Sequence, residues 1–486
     1  MSPLEPPRAL CSWLRLPKAM LPSVVLTARS RRGARDHRGR QDFRGSPRCA
    51  AFSFAVALRR RQVAALNPLN LKNTRMKSLN VSLGLIPIVA LALSSCTLKT
   101  KATASGTATA AAATATPSAS AAPEVPATDA QSGNPFADAT QVINPDYVAK
   151  VEATAKSHPS DADAIRKVEA IPTAVWLDSI SSVTNVPKIL SAAEKQQVAS
   201  GKPTVSLFVV YDLPNRDCSA KAAAGELDIE KMGEERYKAE FIDKIAAEFA
   251  AHPTQRIVAI LEPDSLPNIA TNMNVAKCAA SDQVYRRSIA YAISKLKRPN
   301  VTLYIDAAHA GWLGWQGNPQ KIAAIFKDVL AQAGGADKVR GFATNVSNYN
   351  TVSGKDGKKL GASNPCPDEE SYVNELSKAL TAAGVTGKTF IIDTARDGKA
   401  VRGSWSSWCN IKGAGLGPRP QASPIPRVDA YVWVKPPGES DGTTDEKSPR
   451  FDVGCKSVDS MPNAPEGGQW FAEHFVDMVK NAEPKL

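Results

Sequence analysis

Glu262 and Asp264 stand two residues apart at the end of an apolar run, ILEPDSLPN (260–268), with Pro263 between them. Other apolar runs also end on polar residues. Asp178, Tyr211, Asp217, Asp306, His309, Asn345, Asp393, Arg396, Lys435, Glu439 and Asp441 all fall at or just past such ends. For any single acid among them, a helix cap or a loop is the ordinary explanation. Seven run ends behaving alike call for a common cause. Carboxylates gathered in one cleft disfavour each other's ionisation, so one stays protonated while another stays charged. Such a pair supplies a general acid and a general base.

The aromatic residues suggest what these acids act on. Trp176, Trp312, Trp315, Trp405 and Trp408 lie beside the same run ends. AGWLGW (310–315) sets two Trp three residues apart among Gly, which predicts an exposed loop. Sugar rings stack their flat C–H faces on indole, and acids and amides take the hydroxyls. An indole buried in a core is the alternative, and it is the reading for Trp433, which sits inside a run. Two acids beside a sugar platform fit glycoside hydrolysis, in which one protonates the leaving oxygen and the other assists water.

The elements that must position these residues are legible from about residue 131. Seven short apolar runs, TAVWLD (173–178), VSLFVVYD (205–212), RIVAILEPD (256–264), VTLYIDAAH (301–309), VRGFATN (339–345), KTFIIDTAR (388–396) and DAYVWVK (429–435), read as strands buried on both faces. Stretches with helical spacing at 235–252, 282–296, 319–333 and 368–384 separate several of them. The alternation implies βαβ units and an α/β fold: a distorted barrel of about seven parallel strands, a variant of the TIM barrel, with its site at the strand C-terminal ends.

Charge and cysteines narrow the function further. The net charge of +13 lies in the N-terminal extension: residues 1–75 hold 16 of the 60 basic residues and 3 of the 47 acidic ones, leaving 44 of each. The body is neutral, which argues against a nucleic-acid partner. Met76-Lys77 followed by SLGLIPIVALALSS has the length of a signal peptide. Residues 1–75 then read as an upstream extension outside the mature protein, and 76–98 as the signal. A second reading makes LSSC (93–96) a lipidation site at Cys96. Residues 99–130, rich in Ala, Thr, Ser and Pro, form a linker, and 131–486 the catalytic domain. A secreted, extracellular monomer with no stable membrane association is expected. Five cysteines fall in the body, which predicts two bridges and one free thiol. No cysteine or histidine spacing fits a metal, and no cofactor is expected.

VVYDLPNRDCSAKAAAG (209–225) and VAILEPDSLP (258–267) resemble the two signatures of glycoside hydrolase family 6. YIDAAHAGWLGW, FATNVSNYN, WCNIKGAGLGPRP and VWVKPPGESDGTTD are similar to further blocks in the same order, and the resemblance covers roughly 131–486. Within that family the resemblance is to the fungal cellobiohydrolase II type. The resemblance implies inverting hydrolysis of β-1,4-glucan, with cellulose as partner. It makes Asp264 the general acid. Asp217 becomes the residue that raises the acid's pKa and stabilises charge, Asp441 the candidate base, and Tyr211 the residue that distorts the sugar ring. Trp176 and Trp408 become platforms on one side of the cut, Trp312 and Trp315 on the other. Asp178, His309, Asn345, Lys435 and Glu439 become substrate-binding residues, with Arg216, Glu262 and Arg396 in support. The same resemblance pairs Cys218 with Cys278 and Cys409 with Cys455, and leaves Cys366 free. Long stretches after Asp217 and from Lys435 to Trp470 imply two loops roofing a tunnel, hence attack from chain ends, non-reducing by resemblance.

Two departures stand out. Position 223 is Ala where well-known members carry a Ser that helps hold the catalytic water. No small Cys-rich cellulose-binding module is recognisable before the linker, so weaker retention on crystalline cellulose is expected. Three other functions stay open on the residues: an endoglucanase of the same fold, a non-catalytic glucan-binding protein, and a metal enzyme using Asp178, Glu262 and Asp306 as ligands.

Overall fold

The computed structural model describes residues 133–354, 360 and 363–486. The extension, signal and linker expected over 1–130 lie outside the described residues. The seven runs form seven parallel strands: β2 (Val175–Leu177), β3 (Thr204–Val210), β4 (Arg256–Leu261), β5 (Val301–Asp306), β6 (Gly341–Thr344), β7 (Thr389–Asp393) and β9 (Val428–Val432). Two-residue strands β1 (Thr140–Gln141) and β8 (Gln421–Ala422) complete the sheet. Its order is β1-β3-β4-β5-β6-β7-β9-β8, with β2 also on β3 and β8 antiparallel to β9.

Side chains alternate across this sheet, and both faces are buried. Val205, Leu207, Val209, Val258 and Ile260 pack in one core with Tyr304, Ile391 and Val432. Their neighbours Phe208, Val210, Ile257, Ala259 and Leu261 pack in another with the surrounding helices. A strand in this setting has no polar face to show, which is why each run reads as continuously apolar. Fully burying one such side chain is worth about 1.5–3 kcal/mol, so a polar substitution on either face is costly.

The sheet curls until its edges approach but does not close as a ladder. Between β2 and β9 the link is one backbone bond, from the Ala174 N–H to the Trp433 carbonyl at 2.9 Å, and one from Trp176 Nε1 to the Val434 carbonyl at 2.9 Å. The result is the distorted barrel expected. Trp433 is fully buried at this seam. At the opposite end of the strands, Asp429 plugs the barrel and accepts from Arg340 at 2.6 and 2.7 Å and from the Tyr304 hydroxyl at 2.7 Å.

The helical stretches fall at Gly233–Ala251, Ala276–Leu296, Asn318–Gln332 and Glu369–Ala382. The first contains a π-helical segment, Tyr237–Ile242, which carries a buried tyrosine below the site. Such a segment adds a residue to the turn and re-aims side chains.

Candidate active site

Past β4 the backbone turns sharply. Glu262 and Asp264 both take left-handed conformations, with φ of 52° and 63°, uncommon for residues with a Cβ. The two acids part there. Glu262 is buried and accepts from the Tyr237 hydroxyl at 2.8 Å and the backbone N–H groups of Leu213 and Asp212 at 3.3 and 3.4 Å. Burial still pushes its pKa up to about 7. It ties β4 to the segment after β3 and does not line the cleft.

Asp264 opens the helix Ser265–Thr271, yet its carboxyl does not cap it. Its backbone N–H donates to Asp306 Oδ2 at 3.0 Å, an oxygen that also accepts from the Ala308 N–H at 3.1 Å. The Asp264 carboxyl is held well above the usual carboxylate range, first by burial, then by the charge of Asp306, then by that of Asp217. Burial likewise pushes Asp306 up to about 7. Asp217, also left-handed at φ 56°, accepts from the Ala223 N–H at 3.0 Å. Its pKa is raised because burial outweighs that bond and the nearby Arg216 and Lys277.

Arg216 stitches this wall together. Its Nη1 donates to the carbonyls of Asp178 at 2.7 Å and of Tyr211, and its Nε to that of Ala223 at 2.8 Å. Its guanidinium lies 4.3 Å from the Tyr211 ring, which meets Trp176 edge-on at 5.4 Å. Asp212, whose pKa burial pushes up to about 8, sits behind it at 3.5 Å.

The opposite wall is charged and paired. Arg396 Nη1 donates to both Asp441 oxygens at 2.8 and 2.9 Å, and Asp441 Oδ2 also accepts from the Tyr349 hydroxyl and the Asn410 N–H at 2.8 Å each. Burial alone would raise Asp441, but Arg396 and Lys435, with these two bonds, outweigh it and lower its pKa. Lys435 Nζ donates to the Ser440 carbonyl at 3.2 Å and lies 5.6 Å from the Trp176 ring; burial lowers its pKa. Glu439 pairs with Lys150 at 2.9 Å.

Between the walls runs a cleft of about 960 Å³. It brings together Trp176, Asp178, Tyr211, Arg216, Asp217, Asp264, His309, Trp312, Trp315, Trp408, Lys435, Glu439 and Asp441. Trp405 joins them. Three residues assigned to the site stand behind its surface. Asn345 is fully buried, and its amide serves the backbone: Nδ2 donates to the Asn350 and Asp393 carbonyls at 2.8 Å each, and Oδ1 accepts from the Asn350 N–H. It shapes the loop after β6 and cannot reach a sugar. Glu262 and Arg396 are the other two. The AGWLGW stretch is not an exposed loop either: Ala310–Leu313 is a short helix with Ala310, Gly311 and Leu313 buried. Trp312 packs partly on the main core, donating to Thr271 Oγ1 at 2.8 Å, while its surface faces the cleft.

His309 accepts at Nε2 from Asn348 Nδ2 at 3.0 Å, an orientation set because Asn348 Oδ1 takes the Tyr349 N–H at 2.9 Å and Arg402 Nη1 at 3.1 Å. Burial and then the Arg402 charge push its pKa down to about 3, so it stays neutral. Sequence reasoning missed Tyr349, Asn348 and Arg402; the amides of FATNVSNYN were the one available signal. Asp178, Glu262 and Asp306 do not gather as metal ligands. Asp178 is exposed on the rim, and the other two are taken up by the bonds above. Among the described residues no group of acids, His or Cys is arranged to hold an ion.

Two loops roof the cleft. Arg450 Nη2 donates to the Ala222 carbonyl at 2.6 Å and the Lys221 N–H to Asp452 Oδ2 at 3.1 Å, joining the loop after Asp217 to the one after Asp441. Disulfides Cys218–Cys278 and Cys409–Cys455 pin one loop each, and Ala222 packs on the second bridge. Cys366 is a buried free thiol.

A family model described as Glycosyl hydrolases family 6 matches residues 136–482. The chain belongs to this family. It is 41% identical over 360 residues to exoglucanase 3 of Agaricus bisporus, covering 73% of this chain and 80% of that protein. It is 40% identical over 371 residues to 1,4-beta-D-glucan cellobiohydrolase C of Emericella nidulans, covering 74% and 81%. Its fold matches cellobiohydrolase II (Cel6A) of Humicola insolens, solved with glucose and cellotetraose. That match has a TM-score of 0.70 and 40% identity, and covers 73% of this chain and 100% of the other. The family 6 chain described here is thus a glycoside hydrolase, and the roofed cleft between its acidic and its paired wall is where its chemistry belongs.

Proposed function

We propose that the protein is an inverting β-1,4-glucanase that releases cellobiose from cellulose chain ends, non-reducing by family resemblance. The observation that carries this reading is the opposed shift of two acids across one roofed cleft lined by five tryptophans: Asp264 raised, Asp441 lowered. A carboxyl kept protonated can donate to the leaving glycosidic oxygen. Asp217, which lines the same cleft, stabilises the positive charge that develops on the sugar ring, while Tyr211 crowds the ring toward distortion. Asp441 stays ionised and is the candidate base. Its proton affinity is low, but water becomes strongly acidic as it bonds to the anomeric carbon, so a weak base suffices at that late point. Ala223 gives its backbone N–H to Asp217 and its carbonyl to Arg216, and has no hydroxyl for the attacking water.

The two disulfides fit an oxidising compartment. With the signal-like 76–98 and the linker 99–130, they support a secreted enzyme whose catalytic domain is 131–486. Among the described residues no helix is long and apolar enough to cross a membrane. Products from cellohexaose, followed by anomer-resolved NMR, test the reading: α-cellobiose should appear first. A β-anomer as first product would exclude inversion. A viscosity drop in soluble carboxymethyl cellulose well ahead of sugar release would assign the endoglucanase instead.

A further inference from the structure

A second cavity, of about 660 Å³, lies between the first turn of the helix Asn318–Gln332 and the helix Glu369–Ala382. Among the described residues, Trp315 alone lines both it and the cleft. That indole is fixed: Nε1 donates to the Gly311 carbonyl at 2.8 Å, and its ring meets Trp405 edge-on at 6.3 Å. The wall beside it has no slack, because a Cβ on Gly314 would come 2.3 Å from the Ala310 carbonyl oxygen and 2.7 Å from Cys366 Cβ.

The lining has the composition of a sugar site. Trp315 and Pro365 offer apolar surface, and Gln316, Gln320 and Asn374 offer amides. Asn374 Oδ1 accepts from Arg427 at 3.0 Å, which leaves its N–H groups as donors. The lining charges cancel locally, since Lys378 pairs with Glu375 at 3.3 Å. The groove therefore suits a neutral, hydroxyl-rich ligand rather than an anion.

We propose that this groove binds the part of a β-1,4-glucan chain that extends beyond Trp315, so that the enzyme grips a polymer over a longer track than the cleft alone provides. The inference rests on the glucanase reading. Its basis is continuity, since a chain leaving the cleft over Trp315 meets the groove at the same residue. Amides on both walls would take its hydroxyls, and Pro365 would flank a ring face.

The test compares a short and a long substrate in the full chain. Gln316→Ala/Gln320→Ala changes two exposed side chains on one wall, and Asn374→Ala a half-buried one on the other. Cellotetraose should be cleaved with unchanged kcat/KM by both variants. On amorphous cellulose kcat/KM should fall about threefold to tenfold, the loss of one or two neutral hydrogen bonds. An equal loss on both substrates, or no loss on the polymer, overturns the proposal. Failure of the unmodified enzyme to cleave either substrate would instead overturn the glucanase reading.

Discussion

The two walls of the cleft bury acids in opposite ways. At the ends of β4 and β5, Asp264 and Asp306 lie together, no cation is among the causes that shift either, and both are raised. Near the ends of β7 and β9, Asp441 is equally enclosed but meets Arg396 in a forked pair, two hydrogen bonds and the charge of Lys435, and it is lowered. Burial raises both acids, and only at Asp441 is it outweighed. What the fold places beside a buried acid decides whether that rise stands, and one cleft can thereby hold a protonated acid and an anion at a single pH.

The largest effect should come from removing the proposed donor. Asp264→Asn should cut turnover of cellotetraose by about 10²–10⁴, while oligosaccharide binding, read by tryptophan fluorescence, persists. Substantial residual hydrolysis would move the donor elsewhere. Next comes the paired wall. Arg396→Gln leaves Asp441 buried without its main partner and should destabilise by about 3–5 kcal/mol in chemical denaturation. Adding Asp441→Asn should recover much of that; no recovery would mean that Arg396 acts through packing alone.

A smaller effect separates the walls by pH. Asp306 and Glu262 are raised to about 7, and Asp212 and Glu369 to about 8. The native state thus keeps protons that the unfolded chain releases near pH 4. Their stabilisation is fully present below that pH, declines as pH rises through 7 to 8, and is gone above. Asp441 contributes oppositely, losing its share only as pH falls below the ordinary carboxylate range. Denaturation midpoints should therefore be lower at about pH 8 than at about pH 5; a flat profile contradicts this. The smallest effect should be that of Asp306→Asn. Without that charge Asp264 releases its proton more readily, and the alkaline limb of kcat/KM should shift to lower pH. An unmoved limb would leave the shift of Asp264 to burial and Asp217.

The strands were legible because a sheet covered on both faces writes unbroken apolar runs. β1 and β8 were not, since two residues make no pattern, and neither was the π-helical segment that carries Tyr237. The site was legible in its acids and indoles and misleading in its amides. Asn345 carries the same signal at a strand end as a ligand would, yet its amide is buried and bonded to backbone groups of the loop after β6 and the end of β7. Asp217 looked like the main influence on Asp264 because the two share family motifs. Asp306, 42 residues further on, has the larger effect after burial, and only the pairing of β4 with β5 brings it there.

The joined roof has a mechanical consequence. Arg450 on Ala222 and Asp452 on Lys221 make the cleft a closed loop around whatever occupies it, and two disulfides stiffen the clasp. A polymer inside is then retained topologically. It leaves by sliding lengthwise, so residence on a long chain depends on its length and on friction along the indoles rather than on the affinity of any one ring.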